Sequence, residues 1–321
     1  MALTKEQVTA FKRGFDLISD NIEKVVFGKK SEIRLVLAAM ISEGHVLLED
    51  FPGTGKTALA RALAETIKCE NKRIQFTPDL LPSDVTGMDI YNQKDQKFTF
   101  EPGPVFANIV LADEINRAGP KTQSSLLQAM EEGAVSVGKK EYPLGTPFLV
   151  IATQNPVEQE GVYPLPEAQL DRFMIKTSLG YPDADSTKMI LTGLATPASK
   201  LKPAVVSDDV REMTKLAREV TISDELVEYV VKIVEQTRLN KRVEIGSSVR
   251  GARNLTKLAK TWALTDGRDY VIANDIKSLA VTVLAHRLKL NPELEENDGV
   301  KNEIVMQEIL DSITPPKDPG K

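Results

Sequence analysis

The sequence has one cysteine, few aromatic residues and no long apolar run. Cys69 is the only cysteine among 321 residues, so an intramolecular disulfide is impossible and a disulfide-stabilised extracellular scaffold is excluded. The first residues, MALTKEQVTAFKRG, lack the apolar core of a signal peptide. No stretch has enough consecutive apolar residues to span a bilayer. We therefore expect a cytoplasmic protein that does not insert into a membrane.

An excess of positive charge is also missing. The chain has 41 basic and 46 acidic residues, which gives a formal net charge of −5. Proteins that bind nucleic acid usually present a basic surface to the phosphate backbone. A nucleic-acid partner is therefore not expected. Hydrophobic residues make up 41% of the chain, and this length is typical of two domains.

Short apolar runs alternate with helical segments up to about residue 180. Five runs predict strands: HVLLE, KRIQF, NIVLAD, PFLVIATQ and FMIKTSL. Because they lack polar alternation, they favour a parallel five-stranded sheet covered by helices on both faces. The preceding helical segment SEIRLVLAAMISEG is expected to end with Gly44 in a left-handed conformation.

The pattern changes after the segment YPDADSTK. From there the sequence has only helical periodicity. We predict an α/β domain over residues 1–182 and an all-helical domain over residues 183–321. The polar, proline-rich tail of the second domain has a composition that favours flexibility.

The segment VLLEDFPGTGKTALA, residues 46–60, predicts a phosphate-binding loop. It follows a predicted strand and precedes a predicted helix, as such loops do. The common pattern G-x-x-x-x-G-K-[ST] has glycine where this chain has Asp50. The aspartate lies at the entrance of the loop, so it need not block a nucleotide, although it adds a negative charge nearby.

Each residue type in this loop suits a phosphate. Gly53 and Gly55 allow successive backbone N–H groups and a helix N-terminus to face the ligand. Lys56 is expected to reach the β- and γ-phosphates of ATP, and the hydroxyl of Thr57 is expected to bind Mg²⁺. The predicted nucleotide contacts in the loop are Pro52, Gly53, Thr54, Gly55, Lys56, Thr57 and Ala58.

Two further strands end in polar residues. NIVLADE ends with Asp113 and Glu114, which could hold Mg²⁺ and polarise an attacking water, respectively. FLVIATQN delivers Asn155 to the carboxyl end of its strand, where open α/β sheets place ligands. Asn155 could orient the water or contact the γ-phosphate. Taken alone, the two acids could mark an ordinary strand end, and Asn155 could cap a turn.

The long central segment DEINRAGPKTQSSLLQAMEEGAVSVGKKEYPLGTPFLVIATQNPVEQEGVYPLPEAQLDRF resembles the signature of the MoxR family of AAA+ ATPases. LLEDFPGTGKTALARALA resembles the phosphate loop of that family, and the likeness continues to GRDYVIANDIKSLAVTVLAHRL. Members commonly have aspartate at the position of Asp50, so the departure from the common pattern is a family trait. The resemblance covers nearly the whole chain.

The resemblance implies a role for each matched residue. Lys56 and Thr57 match the Walker A residues, Asp113 and Glu114 match the Walker B pair, and Asn155 matches the first sensor. The fold implied is a P-loop AAA+ core followed by a helical lid. The cofactors implied are ATP and Mg²⁺.

The resemblance also implies arginines that act on the phosphates and a segment that holds adenine. Arg172 matches the arginine finger that a ring presents to the next subunit, although it could instead form an ion pair with a nearby carboxylate. Arg250 matches the second sensor, but the family usually has proline where this chain has Val249. Val26 and Gly28 match the adenine-binding segment, or they form an ordinary turn before a helix.

Two segments match insertions of the helix-2-insert branch of these ATPases. The segment of about residues 79–104 is too long for a simple crossover between two strands and therefore predicts an insert with a hairpin. Residues of about 134–147 alternate like a second hairpin. In related rings such hairpins face the pore. On sequence alone, each could equally be an exposed hairpin without such a role.

The function that the resemblance implies is Mg²⁺-dependent ATP hydrolysis by a homo-oligomeric ring, which we expect to be hexameric. Such rings act like chaperones on a client protein, in remodelling, maturation or loading of a metal cofactor. Some work with a von Willebrand factor A domain protein, which would here be a separate chain. The alternatives are a chelatase-type motor subunit and a nucleic-acid-stimulated AAA+ motor. A scaffold that binds nucleotide without hydrolysis is disfavoured because Glu114 and Arg172 are both present.

Overall fold

The chain folds into a parallel sheet with helices on both faces, followed by a mainly helical region. The structure, a computed structural model, describes residues 3–155, 161–194, 196–291 and 301–317. The strands are β1 (Val46–Glu49), β2 (Asn71–Gln75), β3 (Gly87–Asn92), β4 (Lys97–Pro102), β5 (Ile109–Asp113), β6 (Ala134–Val137), β7 (Lys140–Pro143), β8 (Leu149–Gln154), β9 (Ile175–Thr177), β10 (Val243–Ile245) and β11 (Lys289–Leu290). The α-helices are α1 (Lys5–Glu23), α2 (Lys30–Ile41), α3 (Lys56–Ile67), α4 (Pro82–Thr86), α5 (Pro120–Glu132), α6 (Glu167–Leu170), α7 (Ala184–Leu191), α8 (Ser207–Glu219), α9 (Asp224–Leu239), α10 (Val249–Thr265), α11 (Ala273–Leu284) and α12 (Asn302–Ser312).

The central sheet has five strands in the order β2-β5-β8-β1-β9. All four neighbouring pairs are parallel. The sheet confirms the five strands predicted from the apolar runs. Because all five strands run the same way, their carboxyl ends meet at one edge, where open α/β sheets bind ligands.

Alternate residues of the strands enter two different cores. One face contributes Val46, Leu48, Ile109, Leu111, Leu149, Ile151 and Ile175 to a core that also contains residues of α1, α2 and α3. The other face contributes Leu47, Val110, Ala112, Val150 and Ala152 to a core shared with α5. Both faces of the inner strands β1, β5 and β8 are buried, which explains why these strands are apolar up to their carboxyl ends. The edge strand β2, with the sequence NKRIQ, is mostly exposed.

Helix α1 joins the sheet to the C-terminal helices. It begins with a capping box in which the Thr4 hydroxyl accepts from the Gln7 N–H at 3.2 Å and the Gln7 side chain accepts from the Thr4 N–H at 2.9 Å. Its buried residues Phe11 and Phe15 belong to the same core as helices α8 to α11. The C-terminal region therefore packs on the face of the sheet that α1 and α2 cover.

The C-terminal region contains helices, as predicted, together with one short antiparallel pair. Strands β10 and β11 pair in register at Val243 and Leu290. Helical periodicity gives no sign of strands of two or three residues, so this pair was absent from the prediction of an all-helical region. Within the described residues, no helix is both long and apolar enough to cross a membrane.

The end of α2 differs from the prediction. Glu43, with φ of 58°, takes the left-handed conformation that Gly44 was expected to have. A Cβ atom on Gly44 would lie only 2.5 Å from the side chain of Met174. Glycine is therefore required here for close packing against the start of β9, and the turn itself is formed by a glutamate.

Two antiparallel hairpins project from the domain. Strands β3 and β4 pair from Gly87–Pro102 to Asn92–Lys97, and β6 and β7 pair from Ala134–Pro143 to Val137–Lys140. The rings of Phe100 and Tyr142 stack with centroids 4.0 Å apart. This contact joins the two hairpins into one surface.

Candidate nucleotide-binding site

The phosphate-binding loop connects β1 to α3 at the carboxyl edge of the sheet. Gly53 and Gly55 have φ of 83° and 95°, in the left-handed region that favours glycine. A Cβ atom on either glycine would meet no heavy atom within 4 Å, so the space in front of this backbone is open. Lys56 begins α3 and donates to the carbonyl oxygens of Asp50 at 3.2 Å and Phe51 at 2.9 Å.

A cavity of about 470 Å³ lies over this loop. It brings together the loop and the ends of three strands. Its lining residues are Asp50, Pro52, Gly53, Thr54, Gly55, Lys56, Thr57, Ala58, Arg73, Asp113, Glu114, Thr153, Gln154 and Asn155. Ten of the residues that the sequence assigns to ATP or Mg²⁺ therefore share one cavity, from Pro52 to Ala58 along the loop together with Asp113, Glu114 and Asn155.

Asp113 is held by partners on both neighbouring strands. The residue is 9% exposed. Its Oδ1 accepts from the hydroxyl of Thr153 on β8 at 2.7 Å, and its Oδ2 accepts from Arg73 on β2 at 2.6 and 3.1 Å. Sequence reasoning missed both partners. The polar Thr153 near the end of an apolar strand was a usable signal, whereas nothing in the sequence pairs Arg73 with Asp113.

Glu114 has a backbone conformation that is unusual for a glutamate. Its φ is 56°, and its N–H donates to the hydroxyl of Thr153 at 2.8 Å. Its carboxylate accepts from the side-chain amide of Gln75 at 2.9 Å and lies 3.4 Å from the guanidinium of Arg117. Left-handed conformations of bulky residues occur preferentially at functional sites, where surrounding contacts stabilise them. The Thr153 hydroxyl thus binds both residues of the pair, the carboxylate of Asp113 and the backbone of Glu114.

The structure gives Asp50 a definite role. Its Oδ1 accepts from the Ser178 hydroxyl at 2.7 Å and the Gly180 N–H at 2.8 Å, and its Oδ2 accepts from the Leu179 N–H at 2.7 Å. The residue is 2% exposed. Its carboxylate is therefore used to anchor the segment that follows β9. This geometry explains how a loop of this type accommodates an acid at its entrance.

Val26 and Gly28 are not among the described residues that line this cavity. Val26 is buried in the core that α1 and α2 share, so only its backbone is available to a ligand. Gly28 has φ of 67°, and a Cβ atom on it would lie 2.8 Å from the Ser186 hydroxyl and 3.2 Å from the carboxylate of Asp183. The segment therefore packs closely on the start of α7.

Arg172 and Arg250 lie close to each other, and neither is among the described residues that line the cavity. The Arg172 guanidinium is 3.1 Å from the carboxylate of Glu131. Arg250 contacts the same carboxylate and lies 3.4 Å from Asp171. The two arginines thus share one acidic partner on α5, which the sequence did not suggest.

The absence of proline before Arg250 does not prevent the helix from starting there. Val249 is the first residue of α10 and is exposed. The hydroxyl of Ser248 accepts from the Gly251 N–H at 3.3 Å and so caps the helix. Proline is favoured at the first position because the N–H there lacks a helical partner in any case. The serine cap therefore starts the helix without a proline at Val249.

Other titratable residues have structural environments. Burial lowers the pKa of His45 to about 4, which keeps the ring neutral while Nδ1 accepts from the Val150 N–H and Nε2 donates to the Met130 carbonyl. Burial raises the pKa of the Cys69 thiol to about 12, so the reactive thiolate is not formed at neutral pH. In the part of the chain that the structure describes, no three His, Cys, Asp or Glu residues cluster as metal ligands.

The cavity fits a nucleotide with Mg²⁺. Open space in front of Gly53 and Gly55 leaves the loop amides and the start of α3 facing the cavity, where an anion is favoured. Thr57 and Asp113 line the same cavity and offer oxygen ligands, which Mg²⁺ prefers. Because Mg²⁺ usually keeps several waters and takes one or two protein ligands plus phosphate oxygens, two protein oxygens are a suitable number.

Comparison with known families identifies two regions. Residues 45–175 match the model of the ATPase family associated with various cellular activities, AAA. Residues 235–309 match the AAA lid domain. The first match contains the phosphate loop, Asp113, Glu114, Asn155 and Arg172, and the second contains Arg250.

Relatives align over most of the chain. Chaperone MoxR1 of Mycobacterium tuberculosis is 39% identical, with 92% of this chain and 81% of the relative covered. Protein MoxR of Paracoccus denitrificans is 31% identical, with 84% and 87% covered. YeaC of Bacillus subtilis is 48% identical, with 92% and 93% covered. A crystal structure of a protein from Cytophaga hutchinsonii has a TM-score of 0.89 and 41% identity over 97% of this chain and 98% of its own.

Replacing Asp50 with alanine is expected to destabilise the protein. The substitution leaves three donors around Leu179 without an acceptor, and each unsatisfied buried donor costs about 1–3 kcal/mol. The free energy of unfolding from a urea titration measures the loss. Asp89→Ala, at an exposed aspartate on β3, is the matched control. Equal stability of the two variants would contradict the anchoring role of Asp50.

Replacing Arg73 with alanine is expected to lower the Mg²⁺ concentration that gives half-maximal ATPase activity. The guanidinium and the metal compete for one carboxylate oxygen, and because exposed ion pairs are worth about 0.2–1 kcal/mol, the shift should be up to roughly fivefold. A Mg²⁺ titration at saturating ATP measures it. The control is Lys72→Ala, since Lys72 is adjacent and pairs with Glu70 instead. An unchanged or higher Mg²⁺ requirement would refute the competition.

Proposed function

Because this chain belongs to the MoxR family of AAA+ ATPases and therefore hydrolyses ATP, we propose that it works as a homo-oligomeric, hexameric ring that remodels a client protein. One observation carries the proposal of a ring. Arg172 and Arg250 pair with Glu131. Neither arginine is among the described residues that line the cavity in front of the phosphate loop. The arginine in the described lining of the cavity, Arg73, pairs with Asp113, so an arginine of a neighbouring subunit would supply the further positive charge that the γ-phosphate needs.

In the proposed site the loop holds the phosphates of ATP. The amides around Gly53 and Gly55 and the ammonium of Lys56 bind the phosphate oxygens. Thr57 and Asp113 hold Mg²⁺, which when bound offsets the negative charge of the phosphates. Asp113 is suited to this role because Thr153 fixes one of its oxygens at 2.7 Å.

Glu114 is the proposed general base. It follows Asp113 directly and lines the same cavity, so its carboxylate is placed to accept a proton from a water that attacks the γ-phosphate. Asn155, at the end of the adjacent strand, orients that water or contacts the phosphate. The bond between Gln75 and Glu114 holds the carboxylate at the edge of the cavity.

The adenine is proposed to bind beside Val26 and Gly28. Because the Val26 side chain is buried, recognition there uses backbone groups and packing. Gly28 lies against Asp183 and Ser186 at the start of α7, so the base would lie near the junction between the sheet and the C-terminal helices.

Arg172 and Arg250 are proposed to act in trans, on ATP bound by the neighbouring subunit. Both guanidinium groups lie within reach of one carboxylate, Glu131, so they can face one small anion together. A guanidinium lowers the barrier to phosphoryl transfer only where charge develops on the transferring group. This arrangement couples hydrolysis to contact between subunits.

The two hairpins are the proposed contact with the client. On the first hairpin Met88, Ile90, Tyr91 and Phe98 are exposed, and the rings of Tyr91 and Phe98 lie 5.3 Å apart. Exposed apolar groups of this extent are typical of interaction surfaces. Because Phe100 stacks on Tyr142, movement of one hairpin is transmitted to the other.

The proposed biological role is chaperone-like, in maturation or metal-cofactor loading of a partner protein in the cytoplasm. It is supported by the likeness to the relative named chaperone MoxR1. A von Willebrand factor A domain protein on a separate chain is the proposed adaptor between the ring and its client.

Glu114→Gln is expected to keep ATP affinity and to stop turnover. The amide cannot accept the proton, and losing a general base typically costs about 10²- to 10⁴-fold in rate. Calorimetry and a phosphate-release assay measure the two properties, with Glu132→Gln, at an exposed glutamate, as the control. Turnover within a few-fold of wild type would remove Glu114 from the mechanism. The same variant, loaded with ATP, should retain the client for identification.

Mixing two inactive variants is expected to restore activity. Lys56→Ala lacks a working loop and Arg172→Ala lacks a finger, but about a quarter of the interfaces in equal mixtures combine an intact loop with an intact finger, since one half times one half is one quarter. Phosphate release measures the recovery, and fluorescently labelled chains verify subunit exchange. Exchange without recovery would exclude Arg172 as a trans finger.

A further inference from the structure

Asp171, the residue before the proposed finger, is bound by three parts of the C-terminal helical region. Its Oδ1 accepts from Nε of Arg287 at 2.8 Å. Its carboxylate also accepts from the Ser248 hydroxyl at 2.9 and 3.0 Å and lies 3.4 Å from Arg250. One carboxylate therefore connects the end of α11, the cap of α10 and the first turn of α10.

Arg287 also binds the backbone on both sides of Arg172. It donates to the carbonyl oxygen of Asp171 at 3.1 Å and to that of Phe173 at 2.6 Å, and it reaches the Met174 carbonyl at 3.4 Å. These bonds leave little freedom for the peptide that carries Arg172. The finger is thus held by a residue more than a hundred positions away in the sequence.

The Arg287 side chain is only 1% exposed. Burial lowers its pKa to about 10, while the charge of Asp171 acts in the opposite direction. A buried ion pair is weak evidence for stability, because well-packed apolar side chains often stabilise such a site equally well. An apolar pair could not supply this geometry, because the planar guanidinium donates to a carboxylate and to several carbonyl groups in fixed directions.

Glu131, on α5, is the second carboxylate that holds the two arginines. It contacts both Arg172 and Arg250, while Asp171 holds Arg250 and precedes Arg172. The two arginines are therefore fixed relative to each other by two carboxylates. A small displacement of the peptide at Asp171 would move both guanidinium groups together.

We propose that Asp171 and Arg287 are positioning residues that hold Arg172 and Arg250 in the geometry needed at the neighbouring subunit's γ-phosphate. This inference rests on the proposed trans action of the two arginines. Neither Asp171 nor Arg287 touches the nucleotide in this arrangement. Their effect reaches the chemistry only through the two arginines, so their loss should damage the finger side of an interface and leave the loop side intact.

Asp171→Asn tests this by its behaviour in mixed rings. Alone, the variant should bind ATP with unchanged affinity and hydrolyse it roughly 10- to 100-fold more slowly, because misplacement by about 1 Å can cost this much. Mixed with Lys56→Ala, which keeps an intact finger, it should regain activity. Mixed with Arg172→Ala it should regain none, because both partners then lack a working finger. A role in general stability would not produce this asymmetry.

Two controls make the outcome decisive. Asp275→Asn removes a different carboxylate that pairs with an arginine, Arg268 at 2.7 Å, and should destabilise the fold without any difference between the two mixtures. If urea unfolding shows that Asp171→Asn is not folded, Arg287→Lys replaces it in the same two mixtures and should show the same asymmetry. Lysine keeps the positive charge but cannot reproduce the fork of bonds that the guanidinium makes.

Two results would overturn the inference, and both are distinct from failure of the proposed function. Normal activity of Asp171→Asn, or equal recovery in both mixtures, would show that Asp171 does not position the finger. The mixture of Lys56→Ala with Arg172→Ala is run in parallel. If that mixture recovers and the Asp171→Asn pattern does not appear, the positioning role is wrong while trans action stands.

Discussion

Burial of both faces of the parallel sheet is the constraint on which the rest of this structure depends. Alternate strand residues such as Leu47 and Leu48 enter two separate cores, so the middle of the three inner strands β5, β8 and β1 is apolar. On these inner strands the polar side chains occur at the strand ends, and in a parallel sheet these ends share one edge. The phosphate loop, Asp113 and Asn155 meet there for this reason.

The same constraint explains why the buried acids of the site are so thoroughly bonded. A carboxylate out of water is tolerated only with donors around it. Asp50 has three donors from the segment after β9, Asp113 has Thr153 and Arg73, and Asp171 has Ser248 and Arg287. Each acid therefore fixes a neighbouring segment as well as itself. Asp50 fixes the segment after β9, Asp113 is bonded to both neighbouring strands, and Asp171 connects the start of α10 and Arg287 to the peptide before Arg172.

Much of the fold and the site could be predicted because the relevant signals are local. Apolar runs located all five strands, and the spacing around Lys56 located the loop beside the strand ends. The partners could not be predicted in the same way. Arg73 with Asp113, and Arg287 with Asp171, are separated by 40 and 116 positions, and exposed or helical arginines look alike in a sequence. Gly44 was misread for a related reason, since its neighbour Met174 lies on a distant strand.

The phosphate loop and the two arginines lie in different places because of how the C-terminal helices pack on the α/β domain. The C-terminal helices share a core with α1 and α2, and Arg287, in the turn after α11, binds the backbone carbonyl groups on both sides of Arg172. Arg250 is drawn to the same place by Asp171 and Glu131. The helical region is thus tied to Arg172, the proposed finger of its own chain, whereas Asp50 ties the loop to the segment that leads into that region. In the proposed ring, one continuous connection therefore joins the loop to the arginines of the same chain, which are the arginines proposed to serve the next site.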